Sequence, residues 1–417
     1  MGDRIEKGNH NQRPAAQTGS AKLTRSSLCL CGFVVLFTVA IPLWAQQSKV
    51  YRDGNSWVEE MTGTLPVTRD VHVTTDLGSV QVQGGSPRIT YLVRKRSYAP
   101  TEKDARKQFE QMRISAVKNG ETDLIQGRIV GRAMMRFGAE FILQVPRDLN
   151  VVRVETRGGS LAFTSIAANI VASTGAGLIK LDDLAGPVKI VSGGGNIEGG
   201  NLGNDFSVTS GAADVRVANV GGQTQVNLGG GRVYIGSSHA STIQTGAGSI
   251  QIQKCMGDLR VTSGGGNLYL GDVEGSVTAE TQGGSVRLAS ATGAVSVTTG
   301  GGSVELFRLG RGAQVETGAG PIMVEFVGNR SLTNSFLHTA SGDVNVCLSA
   351  NEGVSVHAQS DMASGRGILT DFPGLNVTWQ GGQYSPRSVW VEGAINGGGP
   401  TLRIRTTIGQ IALRHCQ

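Results

Sequence analysis

The chain has 417 residues and a formal net charge of +6, with 62 glycines, 5% aromatic and 17% charged residues. Glycine at about twice its usual share of roughly 7% leaves disorder, collagen or a regular β-array. Glycine does not fall at every third position, which excludes collagen, and the 39% of hydrophobic residues recur at fixed spacing, which excludes disorder.

Residues 1–45 read as a signal peptide. Arg4, Lys7, Arg13, Lys22 and Arg25 make a positive segment, Leu28 to Leu43 is almost wholly apolar, and Trp44-Ala45 offers a cleavage point before Gln46. An uncleaved membrane anchor is the alternative, since the run is at the short end of what crosses a bilayer. Cys29 and Cys31 stand at the start of that run and not after it, which argues against lipoprotein-type cleavage. Of 38 basic and 32 acidic residues, five and two lie in the leader, leaving 33 and 30 and a net charge of +3. The expected product is exported, to the periplasm, the cell surface or the medium. Its charge gives no reason to expect nucleic acid as a partner. Cys255, Cys347 and Cys416 remain, too few for a disulfide framework.

Residues 46–145 form an N-terminal β-region. Val71 and Val73, Val80 and Val82, then Ile89 and Tyr91 alternate in pairs with a nine-residue step. A helix is expected over about 101–113, with Thr101 as its cap and Ala105, Phe109 and Met112 as one apolar stripe. It would cover the open end of the array, where bare strand edges invite aggregation.

From 146 to 417 the chain repeats. Apolar residues recur at relative positions 0, 2, 5, 9 and 11, and the first positions are Leu161, Ile179, Ile197, Val215, Val233, Ile250, Leu268, Val286, Val304 and Ile322. Each step is 18 residues except the 17 from Val233 to Ile250. The pairs at 0/2 and 9/11 are half-buried strands, position 5 turns inward at one corner, and runs such as Gly193-Gly194-Gly195 and Gly264-Gly265-Gly266 make the other. The fold class is therefore all-β, a parallel β-solenoid of 18-residue coils with a short helix-bearing N-terminal insertion. A long antiparallel meander would show the same periodicity, but two unlike corners fit one coil better. Residues 366–388, with Pro373, Trp379 and Pro386, interrupt the array and are placed as a cap on the far end; Leu402, Ile404, Ile411 and Leu413 resume the step.

The leader, the helix-bearing β-region and the units "TGAGSIQI", "SGGGNLYL" and "TGGGSVEL" resemble the bacterial putative-adhesin families of β-strand repeats, over about residues 70–415. Those families are largely domains of unknown function, so the resemblance implies a solenoid and an adhesive role inferred from fold, with no catalytic motif to carry over.

Chemistry is sparse. Calcium-binding β-rolls need an aspartate in each glycine turn, and only Gly199-Gly200-Asn201-Leu202-Gly203-Asn204-Asp205 approaches that. His72, His239, His338, His357 and His415 are scattered without metal-ligand spacing. Cys255 takes position 5 and reads as a core thiol, and no Gly-Lys pair exists for a phosphate loop. The outward column at position 1 runs Ala162, Lys180, Glu198, Arg216, Tyr234, Gln251, Tyr269, Arg287, Glu305 and Met323, a solvated ladder without adjacent carboxylates. At position 12, Glu280 and Glu316 are two coils apart with Thr298 between, the best candidates for the paired carboxylates of a polysaccharide lyase or hydrolase. The expectation is a non-enzymatic, monomeric envelope or surface protein, an adhesin or scaffold, without catalytic residues, cofactor or metal. Its stacked faces, bearing threonines and charges, would bind a polysaccharide or another envelope component. A polysaccharide-active β-helix enzyme and a self-assembling structural solenoid are the alternatives.

Overall fold

Two strands per 18 residues, each with one apolar face, can bury those faces only against each other. The computed structural model describes residues 47–131, 137–328, 332–363, 367–381 and 387–416, and these fall in one compact unit, Trp44–Gln417. The leader, its Cys29 and Cys31, and Pro386 lie outside the described residues.

The array is a parallel solenoid. First strands of successive coils form one sheet, here sheet A, in which Leu161 pairs with Ile179, Ile179 with Ile197, and so on to Val304 with Ile322. Second strands form sheet B, from Ile170 beside Val188 to Val297 beside Val315. All these pairings are parallel, which removes the antiparallel meander. One hydrophobic core runs unbroken from Leu65 to Leu413.

The corners are unlike, as the repeat requires. At the glycine corner Gly248 adopts φ +135°, and a Cβ on Gly266 would strike the Gly248 carbonyl one coil earlier. At the other corner the 17-residue coil lacks one residue, and a buried Ser238–Ser241 hydroxyl pair at 2.7 Å closes the gap. Sheet B strands such as these end in a hydroxyl residue that turns inward: Thr174, Ser263, Thr281 and Thr299 are all buried. Their hydroxyls donate to the carbonyls of Gly159, Gly248, Gly266 and Gly284, one coil earlier, at 3.1, 2.9, 3.0 and 2.9 Å. The strand's alternation turns this position inward, and the hydroxyl partners a carbonyl that the glycine turn takes out of the ladder.

The ends depart from the order expected. Ile89 and Tyr91 do not open another coil; they begin strand Ile89–Ser97, antiparallel to Ser56–Leu65 and to Phe137–Val145. Alternation has period 2 in either direction, so it could not distinguish them. The strands Asp70–Thr75 and Ser79–Gly84 lie between Val151–Thr156 and Leu161–Ile166 on one side and Thr122–Ile129 and Phe137–Val145 on the other, out of chain order. The far end repeats this device. Thr401–Ile408 and Ile411–His415 lie between the coil of Ser335–Leu348 and the strands Val354–Met362 and Ile368–Thr370. Among the described residues of the 366–388 segment, Ile368–Thr370 and Leu375–Gln380 are regular strands, the last of the two sheets.

The helix is shorter than expected, Glu102–Phe109, capped by the Thr101 hydroxyl accepting from the Asp104 amide. Ala105 and Phe109 pack with Ala99 against Val50 and Trp57. Met112 leaves the stripe to open the edge strand Met112–Asn119, buried in the main core. The helix thus joins the sheet A strand Ile89–Ser97 to an edge strand of sheet B. A disulfide links Cys347 to Cys416 with Cα atoms 5.1 Å apart, a pairing the sparse cysteines did not announce, because coil order at this end brings residues 69 apart together. Cys255 is a free, buried thiol.

Candidate functional site

With the core facing inward, recognition chemistry is confined to the outer sheet faces. On sheet A the column Ala162 to Met323 is continuous, each member beside the next. Its chemistry is richer than a ladder of ion pairs. Arg287 pairs with Glu305 at 2.8 Å, but Arg216 lies over the Tyr234 ring, 4.9 Å from its centre. Tyr269 is 45% exposed, and the Asn267 amide donates to its hydroxyl at 3.2 Å. Tyr234 and Tyr269 are therefore two aromatic steps on one column, with Gln251 between them. A shallow groove of about 570 Å³ runs along them, walled by Glu198, Arg216 and Arg232. Arg232 grips Asp214 at 2.7 Å, which holds the Asp214 carboxyl below its ordinary pKa.

On sheet B the carboxylates singled out from the sequence stand where the repeat put them. Glu280 is beside Thr298 and Thr298 beside Glu316. Glu280 accepts a hydrogen bond from the Arg260 guanidinium at 3.2 Å. Beyond Glu316 the column continues to His338.

There the out-of-order coil builds a second groove, of about 790 Å³. Five strands contribute, Leu375–Gln380 through Gln380 alone. Phe336 and His338 stand beside Arg403 and Arg405, these beside His357 and Gln359, and these in turn beside Glu392 and Trp390. The histidines at 338 and 357, scattered in sequence, thus line one groove on either side of an arginine pair. Arg405 is paired with Asp361 at 3.0 Å, and His357 Nδ1 lies 3.4 Å from a Glu392 carboxylate oxygen. Arg403, exposed between Phe336 and His357, has no carboxylate partner among the described residues. Sequence reasoning missed this groove because the strand of Arg403 pairs with residues about 50 and 70 positions away. The signal was the R-x-R spacing on a strand, which puts both arginines on one face.

Among the described residues no group of three or more His, Cys, Asp or Glu is placed to hold a metal ion, and no helix is long and apolar enough to cross a membrane. His72 lies 3.6 Å from Glu155 near the N-terminal end of sheet B, and His415 packs on Phe372 at the end of a sheet A strand, on the other sheet from the groove histidines.

Residues 238–367 match the Toastrack DUF4097 family. Among solved structures, a putative adhesin from Parabacteroides distasonis is similar, at 12% identity and TM-score 0.29, over 70% of this chain and 96% of that one. So are a putative lipid binding protein from the same species, at 13% and 0.26 over 70% and 97%, and a putative adhesin from Parabacteroides merdae, at 12% and 0.24 over 70% and 97%. No curated protein matches the sequence. The resemblance to repeat families of unknown function, read from the repeats, agrees with the family match over residues 238–367.

Proposed function

We propose that this chain is an exported, monomeric protein of the cell envelope or surface that binds saccharide polymers without acting on them. The observation that carries this reading is the column Arg216–Tyr234–Gln251–Tyr269–Arg287 on sheet A. Its rungs recur at about 4.8 Å, one per coil. Tyrosine rings and amide or guanidinium groups at such regular spacing suit a linear ligand whose own units repeat, each rung adding a small contribution. A rigid, flat platform of this kind loses little conformational entropy on binding. The carboxylates that a hydrolase or lyase would use support the same reading, since Glu280 is held in an ion pair and Thr298 separates it from Glu316. Adhesion or envelope scaffolding follows from binding without turnover.

The test is a glycan array probed with the chain from Gln46 onward, with reducing-end and unsaturated-product assays on each polysaccharide retained. Retention without product, weakened by at least about tenfold in Tyr234→Ala with Tyr269→Ala, is expected from stacking worth roughly a kcal/mol or more per ring. Product formation that disappears in Glu280→Gln with Glu316→Gln, folding unchanged, would instead establish the enzyme. Filaments growing with concentration would establish the self-assembling solenoid.

A further inference from the structure

We infer that the sheet B groove at the C-terminal end is a second binding site, separate from the tyrosine column, that selects an acidic saccharide through Arg403. The inference rests on the reading that this chain recognises saccharides, and it adds the ligand's charge and the residue that reads it. Three observations carry it.

First, Arg403 is a groove cation without a carboxylate partner among the described residues. Arg405 is neutralised by Asp361 through Nε at 3.3 Å and Nη2 at 3.0 Å, whereas Arg403 has no anionic partner among the described residues. An exposed guanidinium set between a phenyl ring and an imidazole keeps its planar fork open to a ligand. A carboxylate matches that fork with two parallel hydrogen bonds, which an ammonium could not reproduce.

Second, the groove offers more than charge. Phe336 and Trp390 stand on opposite sides of the arginine strand, and Gln359, Gln380 and Ser388 supply donors and acceptors between and beside them. Ring faces with a few placed polar groups are how proteins hold a body that is apolar on its faces and hydroxylated at its edges, which describes a sugar ring.

Third, the remaining acids set the charge of the ligand. Glu392 is 69% exposed on the far strand and Asp361 borders Arg405, so each added negative charge meets two carboxylates. A phosphate monoester carries about −1.5 to −2 at neutral pH and is penalised more than a single carboxylate. The ligand class is therefore a uronic-acid-type sugar and not a phosphorylated headgroup.

Titration calorimetry on the chain from Gln46 onward would compare a galacturonate oligomer, its carboxyl-reduced galactose counterpart and inorganic phosphate. The expected result is preference for the galacturonate oligomer, reduced about ten- to a hundredfold in Arg403→Ala, the range for hydrogen bonds to a charged group. Arg403→Lys should restore only part of that loss, and Tyr269→Ala should leave acidic binding unchanged. Equal binding of the reduced oligomer, displacement by phosphate at equal concentration, or an unaltered Arg403→Ala variant would each overturn the inference. If neutral glycans bind at the tyrosine column while the acidic oligomer gains nothing, this inference alone fails. If no saccharide of either kind binds, both readings fail.

Discussion

Replacing Thr299 by valine should destabilise the solenoid, while the same change at its neighbour Thr298 should not. Thr299 is 2% exposed, and its hydroxyl donates to the Gly284 carbonyl of the preceding coil at 2.9 Å. Valine has the same shape, so no cavity opens; only the hydrogen bond is lost. A neutral hydrogen bond contributes roughly 1 kcal/mol net, and a buried carbonyl left without its partner costs about 1–3 kcal/mol. The expected loss is therefore about 2 kcal/mol. Thr298 points to solvent, where a substitution stays within about 0.5 kcal/mol. The assay is urea unfolding followed by far-ultraviolet circular dichroism, reading the midpoint at constant slope. Thr245→Val and Thr317→Val, four coils apart, should combine additively to within about 0.5 kcal/mol, since their hydroxyls serve different carbonyls, those of Gly231 and Gly302. Coincident midpoints for Thr298→Val and Thr299→Val would show that the buried hydroxyls are incidental and that the corners hold without them.

Three further outcomes follow from the same geometry. Val286→Asp puts a charge between the sheets and should cost several kcal/mol, whereas Arg287→Asp loses an exposed ion pair to Glu305 and a contact with the Phe307 ring and sets a like charge beside Glu305, together about 1–2 kcal/mol; equal losses in thermal melts would contradict the register. The Cys255 thiol is fully buried and bonded to the His239 carbonyl, so a thiol reagent should label it only at the rate of unfolding, and prompt labelling of native protein would contradict its place in the core. Asp123 is fully buried with neither carboxylate oxygen hydrogen-bonded, and burial raises its pKa despite Thr68 and Lys118. The folded state therefore holds the extra proton between the ordinary aspartate pKa and the raised one, and stability should fall as pH rises through that window. Asp123→Val, which restores the apolar column of Val71 and Val152, should abolish that fall and add about 1–3 kcal/mol at pH 7; an unchanged pH profile would mean that Asp123 is ionised and paired in solution.

Local sequence determined the coil. Ten aliphatic first positions at a near-constant step, from Leu161 to Ile322, allow one burial solution, and they place Arg287 outward and Cys255 inward without any coordinates. A register set by side-chain alternation is legible because a slip of one residue would expose every apolar side chain at once. Tertiary structure decided what alternation cannot encode. Whether Ile89 continues the coils or runs antiparallel, and whether Leu402 follows its chain neighbours or slips between earlier coils, leaves the period-2 pattern unchanged. The free energy that settles those choices comes from long-range edge pairing. The candidate groove depends on it wholly, since Phe336, Arg403, His357 and Glu392 adjoin only because a late strand lies between two earlier ones. The buried threonines mark the boundary between the two: their inward phase was there in the repeat, but the glycine carbonyl each one satisfies belongs to the coil before, and only stacking brings it within reach.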